Sequence, residues 1–492
     1  MYISDPITLV LSVILFLFVA LFLFGQKRSV NNLPPGPRPL PIIGNLHLLD
    51  LERPYRTLHK LSKKYGPVYT IQLGVEKVVV LCGCDAVKDA LVNHAEEFSG
   101  RHKIPIFHNT LKGHGLIFAY DDNWKVMRRF ALSTLRDFGM GKETIENTIV
   151  EESNFLVQKF RSYKGEPFDN TVIMNAAAAN VIVSILLSKR FDYEDPTIAK
   201  LLKYNNDNVK LIGSPMGMLY NAYPSVMHWC SGIQRKVAKN VEDMHVFLRE
   251  TFTNHRKELD VNDQRNLIDT FLVKQQEEKP NPKLYFTNEN LTMLVNDLFA
   301  AGMETTSTTL RWGLLLMMKY PEIQSKVQSE IEKVIGLAEP KITYRKQMPY
   351  TDAVLHEIQR FGNILPTNLS HATTQDVNFR GYLIPKDTQV IPLLTSVLND
   401  KEHFIKADEF YPEHFLDSSG NFVRKDAFMP FSAGKRSCAG ESLAKMELFI
   451  FFTRLLQNFT FKAPPGATID LSPSLGFTCA PLPHKICAIP RT

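Results

Sequence analysis

Ten residues near the C-terminal end constrain this chain more than any other stretch: Phe431-Ser-Ala-Gly-Lys-Arg-Ser-Cys438-Ala-Gly440. One cysteine sits in a glycine-flanked, cationic loop. The following Glu441 to Leu456 has the apolar spacing of a helix, with Leu443, Met446, Ile450 and Thr453 on one side. Cys438 therefore falls at or just before a helix N-terminus, where unpaired N–H groups and the positive end of the dipole favour thiolate over thiol. Lys435 and Arg436 add positive charge, Gly434 permits a tight bend, and Gly440 permits close backbone approach to something flat. A lone cysteine is commonly a small buried hydrophobe. Charge and glycines together point instead to a metal-bound or reactive thiolate.

The pattern resembles the haem-binding loop of the cytochrome P450 superfamily, F-x-x-G-x-R-x-C-x-G, through Phe431, Gly434, Arg436, Cys438 and Gly440. By that resemblance Cys438 is the axial thiolate ligand of haem iron, whose electron donation favours O–O cleavage.

With 44% hydrophobic residues among 492, the chain can bury a large core. A net charge of +6 is modest for this length and does not suggest nucleic-acid binding. The cysteines, at 82, 84, 230, 438, 479 and 487, form no C-x-x-C pair and suit a reducing compartment better than a disulfide framework.

Ile7 to Phe24 is nearly unbroken apolar sequence followed by Gln26-Lys27-Arg28, while the preceding segment holds Asp5 and no lysine or arginine. That order argues for a retained single-pass anchor with the body in the cytosol, rather than a cleaved signal peptide. Four alternating prolines in Leu33 to Pro41 then make a stiff spacer, which resembles the hinge of microsomal members of the family. The organisation expected is an anchor and basic stop over 1–30, a hinge over 31–45 and one catalytic domain over 46–492. Asn-x-Ser/Thr triplets at Asn290, Asn368 and Asn458 are not glycosylation sites if the body is cytosolic.

Val68 to Leu73 and Lys77 to Leu81 read as a hairpin around Gly74, with a further strand group around Phe379 to Leu394. Most of the rest reads as helix. The expected fold class is mainly α with a minor β-sheet region, the cytochrome P450 fold. Ile212 to Trp229 is apolar and aromatic, broken by glycine and proline. It reads either as core beneath a loop or, by the family likeness, as a patch that dips into the membrane surface.

Trp124 and Arg128 lie four apart on one helix face and by themselves could be a surface cation stacked on an indole. In the family such a W-x-x-x-R meets a haem propionate, and His371 and Arg436 match further propionate-contacting positions. A long helical pattern from about Asn288 to Lys319 contains Ala301-Gly-Met-Glu304-Thr305-Thr306. The Thr305 hydroxyl can bond the Ala301 carbonyl and open the ladder, and Gly302 offers room against the backbone. The segment matches the family's oxygen-binding groove, which implies Glu304 and Thr305 as the acid–alcohol pair of a proton relay. Glu357 and Arg360, three apart, would be a weak solvated pair on most helices. They match the family's E-x-x-R, a buried structural network closed by the later Pro412-Glu413-His414-Phe415, where histidine stands in place of the commoner arginine.

The resemblance implies a membrane-anchored haem b monooxygenase of the endoplasmic reticulum, closest to microsomal family-two enzymes. It would use O₂, with NADPH supplying electrons through cytochrome P450 reductase and with cytochrome b5 as a further candidate partner, since no G-x-G-x-x-G is present. Lys125, Arg129 and Lys435 are candidates for a cationic docking face, or simply a solvated surface. The apolar pocket candidates are Ile104, Ile106, Phe107, Phe118, Phe299, Ala300, Ile364, Leu365, Leu369 and Phe477. They imply lipophilic substrates such as fatty acids, steroids or foreign compounds. A haem-thiolate isomerase needing no external electrons, and a non-catalytic haem sensor, are the alternatives. The first makes an intact Glu304–Thr305 pair superfluous; the second would not turn over NADPH with reductase.

Overall fold

The computed structural model describes residues 10, 12, 13, 32–139, 143–230, 232–278, 285–474 and 476–491. The expected anchor at 7–24 lies almost wholly outside the described residues, and among the described ones no helix is long and apolar enough to cross a membrane.

The principal helices are α1 (Pro54–Tyr65), α2 (Pro105–Leu111), α3 (Asp121–Asp137), α4 (Glu143–Ser162), α5 (Thr171–Leu187), α6 (Pro196–Ile212), α7 (Ile233–Lys257), α8 (Asn288–Lys319), α9 (Pro321–Val334), α10 (Pro349–Gly362) and α11 (Glu441–Asn458). Strands are β1 (Val68–Leu73), β2 (Glu76–Leu81), β3 (Gly100–Arg101), β4 (His371–Ala372), β5 (Val377–Phe379), β6 (Tyr382–Ile384), β7 (Gln389–Pro392), β8 (Phe459–Lys462) and β9 (Cys487–Pro490). The fold is mainly helical with small sheets.

The central helix α8 starts where the Thr287 side chain accepts from Asn290 N, capping an otherwise open N-terminus. From Thr306 to Met318 every residue is buried, hydroxyl side chains and Arg311 included, so this half of the helix is surrounded on all sides. Helix α5 lies against it, brought close by Ala176 to Ala179. A Cβ on Gly302 would stand 3.3 Å from Ile182 of α5. That glycine therefore serves helix–helix approach, and the room expected beside it is filled by α5. Helix α11 packs on α4, α8 and α9 and buries Phe449, Ile450, Phe451 and Phe452 completely. Each such side chain removed from water contributes about 1.5–3 kcal/mol, which fixes the start of α11, and with it the cysteine loop, in the core.

The larger sheet runs β1-β2-β7-β4-β3. The expected hairpin forms, with Val68 opposite Leu81 and Leu73 opposite Glu76 and with Val78, Val79 and Val80 buried. The short β3 pairs with β4 so that Arg101 faces His371, residues far apart in the chain. The proline-rich segment docks on β1, Thr70 N donating to Pro35 O at 2.8 Å. Asn290 and Asn368 are buried, so glycosylation there is sterically closed.

Candidate active site

The cysteine loop begins with a short 3-10 turn, Gly434–Arg436. Gly434 has φ +71°, and a Cβ there would stand 1.7 Å from Leu91 O, so glycine is required twice over. Cys438 N donates to Phe431 O at 3.0 Å, closing the loop three residues before α11 begins. The Cys438 side chain has accessible surface, yet burial still pushes its thiol up, against the lowering effects of the Gly440 N–H and Arg128. That combination marks a group on the wall of an internal space. The charges expected to ionise the thiol are disposed differently. Lys435 pairs with Glu96 on the surface, and Arg436 turns to Trp124. The loop alone does not hold a thiolate; a coordinated metal would deprotonate the thiol outright.

Around this loop gather four basic groups and, among the described residues, no buried carboxylate partner. Arg128 of α3 donates through Nη2 to Ser437 O at 2.7 Å. Arg436 stacks its guanidinium 3.7 Å from the centre of the buried Trp124 ring and donates to Ser99 O and Ala119 O. Its Nη1 is buried without a hydrogen-bond partner. Arg101 donates to Ile117 O, Leu369 O and Ser370 O. Burial and the neighbouring Arg101 and Arg128 lower Arg436 to about 7, and the exposed Asp121 offsets this only in part. Burial, with Arg128, lowers Arg101 to about 9. A guanidinium does not surrender its proton in proteins, so these displacements measure the want of an anion. His371 Nδ1 donates to Phe98 O at 2.7 Å, and burial with Arg101 lowers it to about 3, so it is neutral.

A haem with two propionates fits this donor set: a thiol on an internal wall, an orphaned guanidinium N–H, and three arginines lacking acids. Arg101 was not apparent from the sequence, because only the β3–β4 pairing brings it beside His371.

The E-x-x-R pair is buried and bidentate. Arg360 Nη2 reaches Glu357 Oε1 at 2.7 Å and Nε reaches Oε2 at 2.8 Å, both residues being 0% exposed. Arg360 spends its remaining donors on Leu398 O, Ala407 O and Glu409 O. Lys406 N donates to His414 Nε2 at 3.2 Å, so that nitrogen carries a lone pair and Nδ1 carries the proton, given to Glu357 Oε2 at 3.2 Å. The third partner is therefore a neutral imidazole, and the network's charges balance.

In α8, Thr305 Oγ1 donates to Ala301 O at 2.8 Å, as its spacing predicts. Glu304 is buried, its Oε1 accepting from Thr478 at 2.7 Å and Thr308 at 3.3 Å. A second acid, Glu447 of α11, is fully buried beside Thr306, and burial pushes it up to about 8.

A cavity of about 240 Å³ opens between α1, the hairpin, α2 and the end of α6. Ile104, Phe107 and Phe477 border it; Phe118 stacks on Phe107 at 3.9 Å. Ile364, Leu365 and Leu369 are half-buried in the segment whose Pro366, Thr367 and Ser370 border it. Ala300 is half-buried on α8. Ile106 instead packs with Tyr220, Ile233 and Val237, and Phe299 borders a separate void of about 20 Å³ between α5, α6 and α7. Phase along a helix decides such cases, and composition does not reveal it. Of the proposed docking cations, Lys125 pairs with Asp122 and Arg129 is exposed.

A family model described as Cytochrome P450 matches residues 34–488. Cytochrome P450 2K1 of Oncorhynchus mykiss is 47% identical over 99% of this chain and 98% of its own length. Cytochrome P450 2C23 of Rattus norvegicus is 48% identical, covering 96% of each, and cytochrome P450 2C5 of Oryctolagus cuniculus is 47% identical over 99% of this chain and all of its own.

Proposed function

We propose, from the premise that this chain belongs to the cytochrome P450 family and is a monooxygenase, that it oxidises lipophilic substrates at the endoplasmic reticulum membrane. Electrons come from NADPH through cytochrome P450 reductase, with cytochrome b5 as an alternative donor of the second. One oxygen atom of O₂ enters the substrate and the other leaves as water, consuming two electrons and two protons. The observation that carries the reading is the acid-free cluster of Arg101, Arg128 and Arg436 around the Cys438 loop.

Cys438 would ligate the iron, and Arg101, Arg128, Trp124, His371 and Arg436 would hold the propionates. Phe431 and Gly440 frame the loop. When bound, the haem supplies oxygen activation and electron transfer. The protein's own part is to orient, exclude water and move protons. Thr305 can exchange its bond to Ala301 O for one to a water, holding a proton at Oγ1 in mid-helix. Glu304, restrained by Thr478 and Thr308, passes protons toward it from behind through water. Glu357, Arg360 and His414 keep the segment before the loop in place.

Apposition to a bilayer is supported by an exposed apolar rim. Trp229 (84% exposed), Val226 and Met216 stand out from the segment after α6, and Ile42, Ile43 and Val75 from the hinge and hairpin. Tyr223 Oη donates to Ile42 O at 3.1 Å, joining the two stretches beside the cavity.

The test is a haem-absorbance titration of the purified full chain against steroids, fatty acids and lipophilic drugs. A thiolate-type haem spectrum that shifts with apolar ligands is expected. Protein expressed with adequate haem but carrying none would overturn the reading.

A further inference from the structure

Arg311 lies two turns beyond Glu304 on the same face of α8, about 10 Å further along the axis. It is only 7% exposed, yet its Nε has no hydrogen-bond partner and its guanidinium joins no ion pair among the described residues. Two further polar groups share that condition. Asn170, at the N-cap position of α5, is 0% exposed with both amide atoms unpartnered, so its side chain caps nothing. His484 gives its Nδ1 proton to Leu482 O at 2.8 Å, which leaves a buried, unpartnered lone pair on Nε2.

Topology draws the three together. Phe168 and Ile486 exchange both backbone hydrogen bonds in an antiparallel bridge, so Asn170 and His484 lie at the same end of it. The C-terminal segment also follows α8. Thr478 holds Glu304, Cys479 O accepts from Trp312 Nε1 at 2.9 Å, and His484 comes within electrostatic reach of Arg311. Asp169, exposed beside Asn170, reaches Arg311 electrostatically, as Glu304 does from the other side. The result is a polar seam between α5, α8 and the C-terminal segment, with an exposed acid at one end and a buried acid at the other. Buried polar groups without protein partners call for ordered water. An anion is the poorer occupant, because two acids already answer the single fixed cation. For the same reason a proton can cross the seam without meeting uncompensated repulsion.

We propose that Asn170, Arg311 and His484 hold a chain of buried waters that carries protons from the surface at Asp169 to Glu304, which makes Arg311 and His484 positioning residues for oxygen activation. Each proton that Glu304 passes inward is replaced from this side. His484 Nε2 takes a proton from the outer water and returns it to the next, while the guanidinium keeps its charge and orients the water lone pairs. The proposal rests on the monooxygenase reading above and supplies the outer leg of its proton path.

The experiment uses the haem-loaded full chain with whichever compound of the titration above shifts the haem band most. Product is measured per NADPH consumed with reductase, and separately with added hydrogen peroxide, which brings oxygen, electrons and both protons together. Arg311→Met and His484→Phe should each lower product per NADPH about tenfold, with the reducing equivalents recovered as released hydrogen peroxide. The peroxide-driven rate should stay within about twofold of wild type, since it draws no protons through the seam. Arg311→Lys, which keeps a donor and a charge, should restore most of the coupling. In the haem-free protein Arg311→Met should not lower the urea midpoint, because a buried cation without a protein partner does not stabilise a fold. Unchanged coupling in either variant, or an equal loss in both reactions, overturns the assignment. A lowered midpoint in Arg311→Met also overturns it, since the guanidinium would then be a structural group. A wild type that forms product with neither NADPH nor peroxide defeats the monooxygenase reading, while the midpoint comparison still judges the seam.

Discussion

Arg360 and Arg436 are both buried guanidiniums on the cysteine side of the molecule, yet only Arg360 finds a carboxylate. Glu357 meets it with two hydrogen bonds, and backbone carbonyls take its other donors. Arg436 lies among Arg101 and Arg128, stacks on Trp124, and leaves Nη1 unused. The first cluster is complete within the protein; the second awaits an anion from outside. Glu447 supplies the control. It too is buried without an opposite charge, but a carboxyl escapes by keeping its proton, which is what its displacement to about 8 records. A guanidinium has no such escape. An uncompensated buried arginine cluster is therefore a stronger sign of a bound anionic group than an uncompensated acid.

The largest effect should come from breaking the complete cluster. Arg360→Met leaves Glu357 charged and unpaired, and should cost about 3–5 kcal/mol. The urea midpoint of the purified protein reads this. A midpoint shift below that of an ordinary surface change would mean that the pair is not the structural element described here.

Glu447→Gln probes the acid that escapes. The folded pKa is raised from the usual 4.5 to about 8, so the folded chain binds one more proton than the unfolded chain between those values. Wild-type stability from this group is present below pH 4.5 and falls as pH rises toward 8, by at most about 1.4 kcal/mol per pH unit. The glutamine variant should lack that slope, seen as a smaller change in urea midpoint from pH 5 to pH 8. Identical slopes in both proteins would place Glu447 among ordinary ionised carboxylates.

Arg436→Met separates the two clusters most directly. Relief of repulsion from Arg101 and Arg128 should offset the lost bonds to Ser99 O and Ala119 O, leaving haem-free stability within about 1 kcal/mol. Haem release should quicken about tenfold, followed by transfer to a scavenging apoprotein. An effect as large in the haem-free protein as in Arg360→Met would erase the distinction.

The two clusters were not equally legible in the sequence. Cys438, Trp124, Arg128, Glu357 and Arg360 each belong to a short pattern at fixed spacing, on helices α3 and α10 or in the loop just before α11. Arg101 belongs to no such pattern. It joins the cluster because β3 pairs with β4 across more than half the chain. Lys435 sits beside the cysteine in sequence but is drawn to Glu96, a partner that only folding supplies. Gly302 and Phe299 illustrate a third case. Composition places them on α8, whereas the face each presents depends on where α5 and α7 come to rest.

The smallest change expected is also the most discriminating about the complete cluster. His414 is neutral because Lys406 N–H occupies its Nε2 lone pair while Nδ1–H serves Glu357. His414→Arg would install the residue commonest in the family at this position, and sequence likeness alone would lead one to expect a gain. In this molecule it adds a positive charge to a network already balanced and leaves Lys406 N without its acceptor. The expected result is a loss of about 1 kcal/mol, the cost of one unsatisfied buried donor. A stabilised variant, read by the same urea midpoint, would mean that the imidazole is charged and that Glu357 serves two cations. In that case the balance that distinguishes this cluster from the arginines around Cys438 would be gone.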